Sequence, residues 1–269
     1  MSPRQQRGVE RLLPRRSKPL VTLIPHGVDL TRFAATPGLE GASNGRLRLL
    51  YAGRLDCATK GVHWLPGILS RLRLKGVDVQ LDIAGDGPDR ESLFRSLDRQ
   101  GVRAWVNWMG ALPEREMEEC LLQQDVLVLP SRVEGFPNIL VEAMAAGVVP
   151  VASRIPGVTD FIVDHGRDGD LCSIGRPEEF AEAIAALWRD RGRLGRMAQE
   201  ARRTVEDRFT MGRMGRDYDA LFREVLAEPI PDVQPRPLSE FRIERAYRSG
   251  MGRFLPRRLK NAIRSVVRR

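Results

Sequence analysis

The chain of 269 residues has no apolar run approaching the ~20 residues that a membrane-spanning helix needs, and its start, Met1-Ser-Pro-Arg-Gln-Gln-Arg7, lacks the apolar stretch of a secretory signal. The expectation is a cytoplasmic protein without a membrane span. Cysteine is scarce: Cys57, Cys120 and Cys172 are odd in number and far apart, which fits neither a disulfide framework nor a zinc site. His26, His63 and His165 show no paired spacing for a metal or a catalytic triad, so they are read as structural. Most of the chain also lacks excess positive charge, although the net formal charge is +9. Pro229 to Arg269 holds eleven Arg and Lys against three Asp and Glu, and the first eighteen residues hold six basic groups and one acid. What lies between is slightly acidic, which argues against a nucleic-acid-binding core and leaves the two ends attracted to a phosphate-rich surface.

From Arg46 to Leu171 short apolar runs alternate with helical patterns, the signature of an α/β doubly wound parallel sheet of Rossmann-like type. Strands are expected at Leu47 to Ala52, Val79 to Ala84, Trp105 to Met109, Val126 to Leu129, Val148 to Ala152 and near Leu171. Helices are expected at His63 to Leu74, Asp89 to Gln100, Glu114 to Gln123, Asn138 to Ala146 and Val158 to Val163, followed by Pro177 to Arg189, Arg193 to Asp207 and Met211 to Leu226. Such a sheet carries its ligand at the carboxyl ends of its strands. Glycines dominate the turns there: Gly53-Arg54, Gly85-Asp86-Gly87-Pro88, Gly110-Ala111-Leu112 and the segment leading to Glu134. Glycine lets backbone amides approach a diphosphate, and Arg54 and Lys60 flank the first turn with complementary charge.

Glu134-Gly-Phe-Pro-Asn-Ile-Leu-Val-Glu142 concentrates the chemistry. A glycine and a proline after an apolar strand turn the chain into a helix whose first amides have no internal partners, a site for anionic or hydroxyl-rich groups. Glu134 precedes that helix and Glu142 lies inside it. Eight steps of ~100° put the two carboxylates apart, suited to two parts of one elongated ligand rather than to an acid/base dyad. Asp168-Gly-Asp170 has the spacing of a metal-diphosphate motif but lies in a loop before the last strand, and no metal is expected there.

The segments together resemble the nucleotide-sugar-binding half of a family-4 retaining glycosyltransferase of the GT-B fold. The matching stretches are Ile24-Pro-His-Gly-Val-Asp29, Ala52-Gly-Arg54-Leu with Lys60-Gly61, Leu81-Asp-Ile-Ala-Gly-Asp-Gly-Pro88, Gly110-Ala-Leu112 and Glu134 to Gly147. The resemblance implies that Arg54 and Lys60, beside Gly53, hold the donor diphosphate and offset charge on the leaving nucleotide, without a metal or other cofactor. It implies that Glu142 binds the ribose and that Glu134 sits by the transferred sugar. It further implies that Phe136, Pro137, Asn138 and Ile139 contact sugar and phosphate, with Leu112 bordering the base; Pro137 has no N–H and offers only shape.

Residues 1–20 are read as a remnant of an amino-terminal domain or a linker, 21–228 as the binding domain, and 229–269 as a proline-rich linker and basic tail. Leu255, Leu259, Ala262, Ile263 and Val266 form one stripe of a basic amphipathic helix, expected to anchor on an anionic membrane face, with docking on another protein or a disordered solvated tail as the alternatives. Only some twenty residues precede Ile24-Pro-His-Gly-Val-Asp29, so the acceptor-binding GT-B domain is expected from a longer protein or a partner chain. Without it, the stripe Tyr218, Leu221, Phe222 and Val225 must fold back, stay exposed or find a partner. Two functions follow: transfer of a sugar from a nucleotide sugar, with retention, to a saccharide or lipid-linked acceptor, or a non-catalytic nucleotide-sugar-binding or interaction module.

Overall fold

The computed structural model describes residues 2–12, 22–33 and 45–227. The chain divides into two compact units, Met1–Glu224 and Val225–Arg269. The linker and basic tail expected at 229–269 lie outside the described residues.

The described residues of the first unit form six strands: β1 (Leu47–Ala52), β2 (Val79–Ala84), β3 (Val106–Gly110), β4 (Val126–Leu129), β5 (Val149–Ser153) and β6 (Asp170–Cys172). All pair in parallel in the order β3-β2-β1-β4-β5-β6. The α-helices among the described residues are α1 (Pro3–Leu12), α2 (Leu65–Leu74), α3 (Arg90–Arg99), α4 (Glu114–Leu121), α5 (Asn138–Ala145), α6 (Thr159–Ile162), α7 (Pro177–Arg189), α8 (Arg191–Arg208) and α9 (Met211–Ala227). Parallel strands need crossovers, and the crossovers cover both faces, so the strands read as near-continuous apolar runs. In β1, Leu47, Leu49 and Tyr51 enter the core that includes α2, α3 and α7 residues, while Leu50 and Ala52 enter the one that includes α4 and α5 residues. Phe180, Ile184 and Leu187 of α7 close the first core; Leu140, Val141 and Met144 of α5 fill the second.

Two details shape the carboxyl edge of the sheet. Between β2 and β3 the register slips, so that Trp108 faces Ile83 but Gly110, not Met109, faces Ala84. This bulge and the left-handed φ of 72° at Gly110 redirect the chain toward Leu112. Gly85 packs so tightly on the preceding turn that a Cβ there would lie 1.9 Å from the Gly53 carbonyl oxygen. The Gly53-Arg54-Leu55 and Gly85-Asp86-Gly87 turns therefore form one layer, joined by the Leu55 amide donating to Asp86 O at 3.0 Å.

The end of α9 leaves its apolar stripe in water: Tyr218, Phe222 and Val225 are exposed, Leu221 is half-buried, and no residue of the helix is buried. Among the described residues no helix is long and apolar enough to cross a membrane.

Candidate active site

Strand order reverses between β1 and β4, the switch point at which an open α/β sheet carries its ligand crevice. The loop after β1 carries Gly53, Arg54 and Lys60; the loop after β4 carries Ser131 and Glu134. They are stitched together by Thr59, whose carbonyl accepts from the Arg132 and Val133 amides at 2.8 and 3.2 Å. Gly61 makes this approach possible. Its φ is 65°, and a Cβ would stand 2.2 Å from the Pro130 carbonyl oxygen and 2.6 Å from the Trp64 ring.

This stitching brings Lys60 onto Glu134, with Nζ 2.7 Å from Oε1. The Ser131 hydroxyl donates to the same oxygen at 2.7 Å. The Glu134 side chain is 7% exposed against 28% for Lys60, so the carboxylate is nearly enclosed while the lysine stays partly open to solvent. Tyr51, buried beneath, donates its phenol to the Arg54 carbonyl at 2.8 Å and fixes the turn that presents Arg54 to solvent. Burial pushes the Tyr51 phenol up, and the nearby Glu134 charge adds to this, so Tyr51 remains a donor.

Glu142 has a separate setting. It lines a cavity of about 300 Å³ with His26, Asp29, Arg32, Phe136, Asn138, Val141 and Met211, and neither Lys60 nor Glu134 reaches that lining. Burial pushes its carboxyl above the usual carboxylate range; Arg32 draws it back, and Glu114 and Glu118 push it further up. Arg32 is itself shared, its Nε 2.6 Å from Glu118 Oε1 and its Nη2 2.8 Å from Glu114. The separation of the two glutamates has a different origin from the expected one. Only Asn138–Ala145 is helical, so half of the eight steps from Glu134 belong to an irregular loop, and a uniform rotation per residue does not apply to them.

The remaining expected residues divide between these two places. Phe136 and Asn138 line the cavity, Ile139 and Leu112 pack partly buried on the second core, and Pro137 is buried at the start of α5. Three participants carry no role in the sequence patterning, Ser131, Asp29 and Arg32, and a fourth, His26, carries a different one. His26, expected to be structural, stacks on Phe136 with ring centroids 5.8 Å apart and forms cavity wall. The Ile24–Asp29 segment holds it there by pairing with the α8–α9 joint, where Val28 bridges Thr210 and Gly27 lies too close to Thr210 for any Cβ.

A further element reaches the rim from far away in sequence. α1 opens with a reciprocal cap: the Ser2 amide donates to Gln5 Oε1 at 2.9 Å and the Gln5 amide to Ser2 Oγ at 3.4 Å. Its first turn rests on the loops after β4 and β5, with the Arg4 amide donating to Gly157 O at 3.2 Å. Gln5 Nε2 lies 2.7 Å from where a Gly135 Cβ would be, beside Glu134.

Other candidates are structural. Asp168 is buried, accepting from the Asp164 amide and the Thr204 hydroxyl at 2.7 Å each, and Asp170 is gripped by Arg193 Nη2 at 2.9 and 3.0 Å. Among the described residues no group of three or more His, Cys, Asp or Glu is arranged to hold a metal ion. The three cysteines are free; burial raises Cys57 and Cys120 to about 11 and Cys172 to about 12, so all three stay as thiols.

A parallel sheet of this strand order, with cationic and acidic side chains meeting at its switch point, defines a Rossmann-like α/β domain. The chain belongs to the family described as glycosyl transferases group 1, whose model matches residues 46–190. It is 32% identical over 219 residues to a glycogen synthase of Mycobacterium tuberculosis, covering 81% of this chain and 51% of that protein. A phosphatidyl-myo-inositol mannosyltransferase of the same organism is 32% identical over 163 residues, 60% of this chain and 42% of its own length. The chain thus spans about half the length of the curated relatives it matches. Among solved structures, Anabaena HepE in complex with UDP and glucose shares the fold with a TM-score of 0.72 at 21% identity, over 83% of this chain and 62% of that one.

Proposed function

We propose that this chain is the donor-binding part of a retaining glycosyltransferase that moves a sugar from a nucleotide sugar to a saccharide or lipid-linked acceptor. The contact of Lys60 with Glu134 at the switch point carries the reading, because it sets a cation and an enclosed carboxylate side by side where a parallel sheet receives its ligand. Lys60 and Arg54 face the diphosphate. As the bond from the anomeric carbon to the phosphate oxygen breaks, its electron pair leaves with the nucleotide, and these two cations offset the charge that builds there. Glu134 orients the sugar hydroxyls and stabilises positive charge at the anomeric carbon. Glu142 accepts from the two ribose hydroxyls within its cavity, bordered by Phe136 and Asn138, and the base lies toward Leu112. The side chains take on this chemistry without a metal.

The names of the relatives support the breadth of the acceptor class, since one carries a polysaccharide and the other a lipid. Acceptor recognition is assigned to an amino-terminal GT-B domain, on the same protein or a partner chain. The cytoplasm supplies the donor, and the basic tail holds the protein at an anionic membrane surface. A second reading, a nucleotide-sugar-binding module without turnover of its own, draws on the half-length match to the relatives.

Calorimetric titration with UDP-glucose, GDP-mannose and ADP-glucose tests the donor assignment; one is expected to bind, and Glu142→Ala to weaken it by about 1–3 kcal/mol through the lost charge-assisted hydrogen bonds. Binding of none of them would remove the assignment. A turnover assay with and without an amino-terminal domain separates transferase from module.

A further inference from the structure

Resting on that reading, we propose that Ser131 is a positioning residue that holds Glu134 for the donor sugar once Lys60 has turned to the diphosphate. Both Lys60 Nζ and Ser131 Oγ converge on Glu134 Oε1, at 2.7 Å each. Among the described residues no hydrogen bond reaches Oε2. One oxygen is thus the anchor and the other is free for a ligand hydroxyl. The two anchors differ in kind. Lys60 is a long side chain with more than a quarter of its surface open to solvent, and its ammonium is the group an incoming diphosphate attracts. A diphosphate carries more negative charge than one carboxylate, so donor entry draws Lys60 away from Glu134. Ser131 cannot follow. It is fully buried, two residues past the end of β4, and the adjoining Arg132 and Val133 amides are tied to Thr59. Its hydroxyl is then the donor that keeps Glu134 in one rotamer with Oε2 presented.

This makes Ser131 matter when a sugar is attached to the nucleotide and little when it is not. The test is the ratio of affinities for a nucleotide sugar over its nucleotide, measured by calorimetry on the full chain with UDP-glucose and UDP, GDP-mannose and GDP, and ADP-glucose and ADP. Ser131→Ala is expected to leave nucleotide affinity within about twofold and to lower the ratio about tenfold, the loss of one hydrogen bond to a charged group. Ser131→Thr, which keeps the hydroxyl, restores the ratio. A ratio within twofold of the unaltered protein overturns the inference, as does an equal loss for nucleotide and nucleotide sugar, which would mark Ser131 as a structural residue of the loop. If Ser131→Ala abolishes nucleotide binding, Ser131→Cys, with similar volume and a weak donor, is measured instead and must show an intermediate ratio. Failure of the unaltered protein to bind any probe refutes the parent reading, a result distinct from an unchanged ratio.

Discussion

A double-mutant cycle on Lys60 and Glu134 measures whether the rim is held by the pair that the geometry shows. At 2.7 Å and an effective dielectric of about 20, the gross attraction of two unit charges is about 6 kcal/mol. Desolvation opposes it, so the net cost of breaking the pair lies between the 3–5 kcal/mol of an enclosed one and the 0.2–1 kcal/mol of an exposed one. Glu134 is almost enclosed and Lys60 is not. Lys60→Met therefore strands a carboxylate with Ser131 as its remaining donor and is expected to cost about 2 kcal/mol. Glu134→Gln leaves an ammonium that water can reach, at about 1 kcal/mol. The double variant should lose only about 1.5 kcal/mol in all, a coupling of about 1.5 kcal/mol between the sites. Urea unfolding of the four proteins at pH 7 and low salt reads these values from shifts in midpoint at constant slope. Additivity within ~0.5 kcal/mol would mean that the two groups do not sense each other, and the account of the rim would fall with it.

Gly61→Ala should cost more than about 3 kcal/mol, because the positive φ and the Pro130 carbonyl both resist a Cβ; a loss under ~1 kcal/mol in the same unfolding assay would contradict the packing. Glu142→Gln should stabilise the ligand-free protein at neutral pH while weakening nucleotide binding. A carboxyl raised in the folded state contributes stability below its unfolded pKa that is lost as pH rises through the folded one, so the advantage of the variant should shrink toward acid; an advantage that grows toward acid has the wrong sign. Gly135→Ala meets only the amide end of the Gln5 side chain, so a cost of under ~1 kcal/mol is expected, relieved by Gln5→Ala; thermal melting that shows no relief would separate α1 from the rim.

The layers of the fold were legible because each strand is covered on both sides and so reads as an apolar run between glycine turns. The misses were local. The third strand begins at Val106 rather than Trp105 because Arg103–Trp105 closes a 3₁₀ turn, and the fifth runs Val149–Ser153 rather than Val148–Ala152. α1 was the larger miss. Ser2-Pro-Arg-Gln5 spells a capping box, but the Arg- and Gln-rich turn that follows has no apolar stripe, and what seats it is contact with loops more than a hundred residues away. The same distance hid the assembly of the site. Glu134 and Lys60 could be marked one at a time, whereas their contact across 74 positions depends on Thr59 and Gly61. Likewise nothing local joins Arg32 to Glu118, 86 positions on, or sets His26 on Phe136.

The carbonyl of Thr59, held by two amides of the facing loop, joins the loops after β1 and β4 into a single piece. Arrangement that a floppy binding surface would undergo at each encounter is here completed once, during folding, so little affinity is diluted by ordering backbone at the moment of capture. Adjustment at the rim then falls to side chains such as Lys60 rather than to the backbone of the two loops.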